Sequence, residues 1–188
     1  IYYIDFSFDK LKLGGSAFAQ SLDKIGKEVP TVQDSEYFAN AFNAVQELIN
    51  KELILAGHDI SAGGMITTML EMNFANTEGG LEVSLDEIPE KDLVKILKKA
   101  GVAFIRLARP CDERHLLIHK DGADYQFFID HLRDVWFESS YLLDRKQSGE
   151  KAAKDRFLNY KEQPLQFRFP DSFTGTLAQY GISADRRT

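Results

Sequence analysis

The chain has a single cysteine, Cys111, so an internal disulfide is excluded and a reducing, cytoplasmic setting is expected. No run approaches the ~20 consecutive apolar residues of a membrane helix. No basic-then-apolar leader opens the chain, so neither a membrane partner nor secretion is expected. A block of lysine and arginine is also missing, and the formal net charge is −6. Nucleic-acid binders carry a basic footprint, so a nucleic-acid partner is not expected either. There is no internal repeat and no low-complexity tract.

What is present is a globular composition: 188 residues, 44% hydrophobic and 28% charged, enough for one domain of ordinary size and an appendage. Tyr2-Tyr3-Ile4-Asp5-Phe6 reads as a strand by its aromatic and β-branched content. Gly14-Gly15-Ser16 opens a helix expected to reach Ile25. Asp34 is an N-cap for a helix running to about Lys51, with Phe38, Phe42, Val45 and Ile49 at helical spacing and expected to face the core. A strand is expected over 53–58, a helix from about Gly63 to Ala75, and a half-exposed strand over 81–85, where apolar and polar residues alternate. Pro89 is placed to open a helix that Gly101 closes. Three further strands are read at 102–107, 114–119 and 125–129. Lys120-Asp121-Gly122 is the hairpin turn between the last two. Asp130 to about Lys146 reads as a long helix with Leu132, Val135, Trp136, Ser139 and Leu143 near one face, and residues 150–160 as another. Beyond Pro164 the pattern is loop-like. Strands mixed with helices in this way define an α/β (α+β) fold, a mixed sheet with helices packed on it.

The richest stretch is Gly57-His58-Asp59-Ile60-Ser61-Ala62-Gly63-Gly64-Met65. An apolar run leads into His58-Asp59, a Ser/Gly turn follows, and then an amphipathic helix. A strand, polar-glycine turn and helix present backbone N–H groups and a helix N-terminus to an anion. Asp59, at the strand's end, is placed to hold the cation that accompanies a phosphate; a helix-capping aspartate is the plainer reading. Ser61 reads as an N-cap, and Gly63 and Gly64 either let backbone approach phosphate or simply make a tight turn. Gly14, Gly15 and Ser16 read as a second phosphate-proximal loop or as a capped connection. His58 is a base, a ligand or a hydrogen-bonded structural residue; Glu71, on the same helix, is given no role. His115 and His119 share a strand face about 13 Å apart, too far for one metal site. Cys111 follows Pro110 and precedes Asp112-Glu113, which is no nucleophile elbow.

With Gly14-Gly15-Ser16-Ala17, His58-Asp59-x-Ser61-x-Gly63-Gly64 and Asp134-x-Trp136-x-x-Ser139-Ser140-Tyr141 in this order, essentially the whole chain resembles the phosphoribosylformylglycinamidine synthase family. The His-Asp-x-Ser-x-Gly-Gly element marks a superfamily shared with aminoimidazole ribonucleotide synthetase. The Trp136/Tyr141 helix narrows it, because the smaller relatives lack that connector. The resemblance implies that residues 1–130 are the C-terminal half-domain of the second synthetase-like lobe, and 131–188 a connector leading toward a glutaminase domain. It implies a ligase of purine biosynthesis: ATP activates the formyl amide oxygen of formylglycinamide ribonucleotide, ammonia from glutamine displaces the phosphate, and an amidine results. The implied cofactors are ATP or ADP with Mg²⁺, Asp59 being the metal ligand. Ser61, Gly63 and Gly64 lie at the nucleotide, with Gly14, Gly15 and Ser16 nearby. The implied partners are the other domains of the same enzyme, its N-terminal synthetase lobe and its glutaminase. The site is either catalytic or a structural nucleotide site.

Two alternatives stand beside this one: a non-catalytic nucleotide-binding or interaction module, and another enzyme of the superfamily, against which the connector argues. The family usually carries an extra strand and helix near Leu97/Lys98, so a segment is expected to be missing there. A half-domain cut from its lobe is expected to bare an apolar face, to dimerise non-physiologically through it, and to be inactive alone.

Overall fold

The computed structural model describes residues 1–84 and 92–162. Pro89, Leu85 and the loop expected beyond Pro164 lie outside the described residues.

The elements run β1 (Tyr2–Ile4), α1 (Ala17–Ser21), α2 (Ser35–Asn50), α3 (Gly64–Phe74), β2 (Gly80–Val83), α4 (Asp92–Lys99), β3 (Phe104–Arg106), β4 (Ala108–Cys111), β5 (His115–Lys120), β6 (Ala123–Phe128), α5 (Ile129–Ser148) and α6 (Glu150–Leu158). β1 and β3 form an antiparallel pair. The other four strands make a mixed sheet in the order β4-β2-β5-β6, with β2 and β5 parallel and the remaining pairs antiparallel. The fold is α+β, as the sequence pattern indicates.

Local chemistry sets several boundaries. The Asp34 carboxylate accepts from the N–H groups of Glu36 (2.9 Å) and Tyr37 (3.0 Å) and so starts α2. α4 ends in a Schellman turn: Gly101, at φ +68°, donates to the Lys98 carbonyl, and Val102 donates to that of Leu97. β5 and β6 turn through Asp121 and Gly122, both at positive φ, with Lys120 opposite Ala123. β4, which the sequence pattern does not disclose, carries Pro110. It lies at the sheet's edge, where a missing N–H costs no ladder bond on the open side.

Two cores result. In one, Leu81, Val83 and Leu116 of the central strands meet Met69, Leu70 and Phe74 of α3 and Ile129 at the start of α5. In the other, Ala41, Ala44 and Leu48 of α2 meet Leu97 of α4 and Val102, with Ile4, Phe6 and Phe104 at its margin.

Several expectations are corrected. Residues 53–58 form no strand. α2 closes by its own Schellman turn, with Leu53 donating to the Leu48 carbonyl, and no described strand pairs with the segment; Leu55 is fully exposed. The face of α2 that meets the core is Tyr37, Ala41, Ala44 and Leu48, not Phe38, Phe42, Val45 and Ile49. The two stripes lie one residue, about 100°, apart, and the small residues point inward because α4 packs closely there. α1 stops at Ser21 instead of Ile25. β2 is central and mostly buried, not half-exposed. On α5, Val135 and Leu143 are exposed, while Ile129 and Arg133 are buried. The expected break at Leu97/Lys98 is absent: α4 runs through both residues, and Leu97 is fully buried.

Candidate functional site

α3 begins where the Gly57–Met65 stretch turns into helix. Gly64, at φ +77°, donates to the Ser61 carbonyl, and Gly63 stands at the N-cap without a side-chain cap bond. A Cβ on Gly63 would lie 2.8 Å from Thr67 Cβ, so the close turn itself requires glycine there. The first N–H groups of a helix have no partner inside it and carry its positive end. Ser61 lies exposed just ahead of them.

The Gly14–Ser16 loop sits against this turn. Ala17 N–H donates to the Ala62 carbonyl at 2.9 Å, which joins the two glycine elements that the sequence leaves 45 residues apart. The loop's other amides are engaged within the chain: Gly14 donates to Glu28, Gly15 to Ile25 and Ser16 to Leu13. A Cβ on Gly14 would lie 2.3 Å from the Glu28 carbonyl oxygen, so its smallness serves that contact. The Ser16 hydroxyl caps α1 by accepting from Ala19. Gly14, Gly15 and Ser16 therefore line the site's flank and offer it shape, with no free amide.

Asp59 projects outward. Its carboxylate is 87% exposed, with the His58 ring 3.6 Å away. Its backbone is held: the Asp59 carbonyl accepts from His58 Nδ1 (2.8 Å) and from the hydroxyl of buried Thr68 (3.2 Å). His58 Nε2 faces Glu71 Oε2 at 3.7 Å. Among the described residues no group of three or more histidine, cysteine or acidic side chains is close enough to hold a metal. The donor set at Asp59 is thus one unencumbered carboxylate, which suits Mg²⁺ held by a carboxylate and nucleotide phosphates together. Two surface concavities lie elsewhere, one around Glu78, Asp112 and Arg114, the other around Asp9, Lys12 and Gln33. The Asp59 turn is an open wall.

The remaining candidates are structural. His119 and His115 meet separate partners, Asp124 at 2.7 Å and Gln126 at 3.1 Å. Burial and neighbouring Glu113 push the Cys111 thiol up, away from the thiolate form. Trp136 packs near Phe74, and Tyr141 stacks on Phe157 and donates to Glu150. Sequence reasoning missed Thr68, whose hydroxyl bonds the Asp59 carbonyl, and gave no role to Glu71, which faces His58; their spacing of three on one helix, after a His-Asp pair, is the signal available for them.

An α+β domain with a glycine turn feeding a helix and a free carboxylate beside it defines a class, and comparison with known proteins narrows it. The family model "AIR synthase related protein, C-terminal domain" matches residues 7–108. The chain belongs to this family. It is similar to a probable phosphoribosylformylglycinamidine synthase, chloroplastic/mitochondrial, of Arabidopsis thaliana, 30% identical over 169 residues, covering 78% of this chain and 12% of that protein. It is also similar to the Homo sapiens phosphoribosylformylglycinamidine synthase, 28% identical over 199 residues, covering 92% of this chain and 14% of that protein. A probable phosphoribosylformylglycinamidine synthase of Caenorhabditis elegans is 39% identical over 98 residues, 47% of this chain and 7% of that protein. The chain thus spans about one seventh or less of the length of these relatives. The human alignment, at 199 positions, is longer than the chain's 188 residues, so it places gaps in this chain. No helix among the described residues is long and apolar enough to cross a membrane.

Proposed function

We propose that the chain supplies one wall of a nucleotide–Mg²⁺ site in a larger ATP-dependent, amidine-forming ligase of purine biosynthesis. The observation that carries this reading is the Ala17–Ala62 hydrogen bond, which draws the two glycine loops together beside α3's N-terminus while the Asp59 carboxylate stays exposed. In this reading Asp59 is the metal ligand. Ser61, Gly63 and Gly64, with the first amides of α3, meet phosphate oxygens of ATP or ADP, and Gly14, Gly15 and Ser16 border the nucleotide. The bound metal–nucleotide supplies the phosphoryl chemistry and charge neutralisation. The names of the relatives support the substrate, formylglycinamide ribonucleotide. Their length supports partners within one polypeptide: an N-terminal synthetase lobe completing the site and a glutaminase delivering ammonia.

Residues 1–130 are the half-domain in this proposal and 131–188 the connector. The chain alone is inactive, because the opposite wall comes from elsewhere. Its single cysteine supports a cytoplasmic setting, although the Arabidopsis relative is named for organelles.

The test is calorimetric titration of Mg²⁺–ATP and Mg²⁺–ADP into this chain and into the full-length protein that carries it. The full-length protein is expected to bind and the chain to bind far more weakly. Asp59→Asn in the full-length protein is expected to weaken metal-dependent nucleotide binding at least 10-fold, by about 1.4 kcal/mol or more. Unchanged binding in that variant would reject the site.

A further inference from the structure

We infer that Glu71 and Thr68 are positioning residues that hold the Asp59 main chain, the root of its carboxylate; the inference rests on the metal-site reading above. The two side chains stand three residues apart on the first turns of α3, hence on one face. From that face each reaches the His58–Asp59 segment by a different route. The Thr68 hydroxyl donates directly to the Asp59 carbonyl. Glu71 stands behind a spacer: its carboxylate lies 3.7 Å from His58 Nε2, a contact and not a hydrogen bond, and the other ring nitrogen, Nδ1, bonds the same Asp59 carbonyl. One backbone oxygen is thus gripped from both sides.

The consequence follows from what surrounds the grip. Residues 53–63 belong to no helix or strand, so no ladder holds Asp59 in place. Leu55 is fully exposed and Ile60 nearly half so, and the loop's apolar anchor is Ile54, five residues before Asp59. A loop carboxylate without support samples many directions, and ordering it on metal binding costs free energy. Thr68 is buried and Glu71 mostly so, which makes their face of α3 a fixed reference for the loop. With the backbone held and the side chain left in solvent, Asp59 is ordered at its root and free at its tip. That is the arrangement expected of a metal ligand and of its outer supports. A helix-capping aspartate would show the reverse, with its carboxylate bonded to helix amides; Asp34, at the start of α2, does so.

The experiment uses the full-length protein that carries this chain, loaded with ADP and titrated with Mn²⁺ as the probe, free Mn²⁺ being read by electron paramagnetic resonance. The Mn²⁺ site lost in Asp59→Asn identifies the site to be followed. Glu71→Ala is expected to weaken that site about 10-fold, the usual size for an outer support, and Thr68→Val to weaken it severalfold. Glu71→Gln, which keeps length and hydrogen-bonding capacity, is expected to stay within about 3-fold of the parent. Melting temperatures are recorded for all four variants.

If Asp59→Asn removes no Mn²⁺ site, the metal reading fails and the positioning role falls with it. If it removes one but Glu71→Ala and Thr68→Val bind as the parent does, the metal reading stands and the positioning role is overturned. If Glu71→Gln is as weak as Glu71→Ala, the charge of Glu71 and not its support of the His58 ring carries the effect, and the role is likewise overturned. If affinity falls only in step with the unfolded fraction, the residues are merely structural.

Discussion

The two cores of this molecule are finished differently. The sheet core has two differently finished faces, and Tyr125, Phe128 and Trp136 stay exposed at its margin. Its apolar face is covered by α3 and the start of α5, and its other face carries a row of alternating charge across all four strands. Arg109 of β4 meets Glu82 of β2 at 2.6 Å, Glu82 faces His119 of β5 at 3.3 Å, and His119 meets Asp124 of β6 at 2.7 Å. Arg114 ties its end. One guanidinium donates to the carbonyls of Asn73, Asn76 and Gly79, to the Asn76 side chain and to Asp130, joining α3, the turn before β2 and the start of α5. The α2/α4 core is closed on one side only. Its inner face is packed around Leu48 and Leu97, while the outer stripe of α2 and the 53–60 segment leave Phe42, Ile49, Leu55 and Ile60 in solvent. The candidate site lies on this second, unfinished side, along the approach to α3. The sheet side ties its strands together with charge, while this side sets exposed apolar residues beside the exposed Asp59 carboxylate.

Paired substitutions test the contrast most strongly. Leu116→Ala, at a fully buried position in a central strand, is expected to cost about 3–4 kcal/mol in chemical denaturation. Phe42→Ser, on the open stripe, is expected to change stability by less than about 0.5 kcal/mol. A large loss at Phe42 would show that the outer face is covered in solution. Arg114→Met comes next, at about 2–3 kcal/mol, because it strands several half-buried acceptors; the denaturant midpoint reads it, and Arg114→Lys should restore little, since one ammonium cannot span five oxygens.

The smallest effect is a pH dependence of the sheet. The Asp124 hydrogen bond, followed by Glu82, holds the His119 imidazolium above its ordinary range, against some desolvation. Its contribution is therefore complete below the unfolded value of about 6.5 and is lost as pH rises through the higher folded value. Arg109, with His119 behind it, holds Glu82 below its ordinary range, so that contribution is present above the unfolded value of about 4.3 and is lost as pH falls below it. The row is tightest between those limits. His119→Gln is expected to flatten the alkaline side of the stability profile, measured as denaturant midpoint against pH; an unchanged profile would dissolve the row's role.

Much of the sheet core was legible because its signals are local. The Asp121-Gly122 turn fixes the β5–β6 register; on the other side Gly101 and Asp34 mark the ends of α4 and α2 in the same way but say nothing of how the helices pack. The α2/α4 side was less legible. Its helix has two adjacent apolar stripes, and periodicity weighs bulk, so Phe38, Phe42 and Ile49 outscored Ala41 and Ala44. Which stripe turned inward depended on how closely α4 approaches. The 53–58 run has strand composition but pairs with no described strand. At the candidate site the residue types of the two glycine loops were readable, while their contact through Ala17 and Ala62 was not.

The sequence by itself determined the element types at capped and turned boundaries, the mixed α+β class and the identity of the free carboxylate, because caps, turns and residue chemistry act over a few positions. Tertiary structure alone decided which face of α2 is core, that the Leu53–His58 run stays outside any sheet, that the Gly14 loop spends its amides within the chain, and that the Thr68 hydroxyl meets the Asp59 carbonyl. Each of these depends on what lies across space from a residue, and close packing admits one neighbour where the sequence offers several.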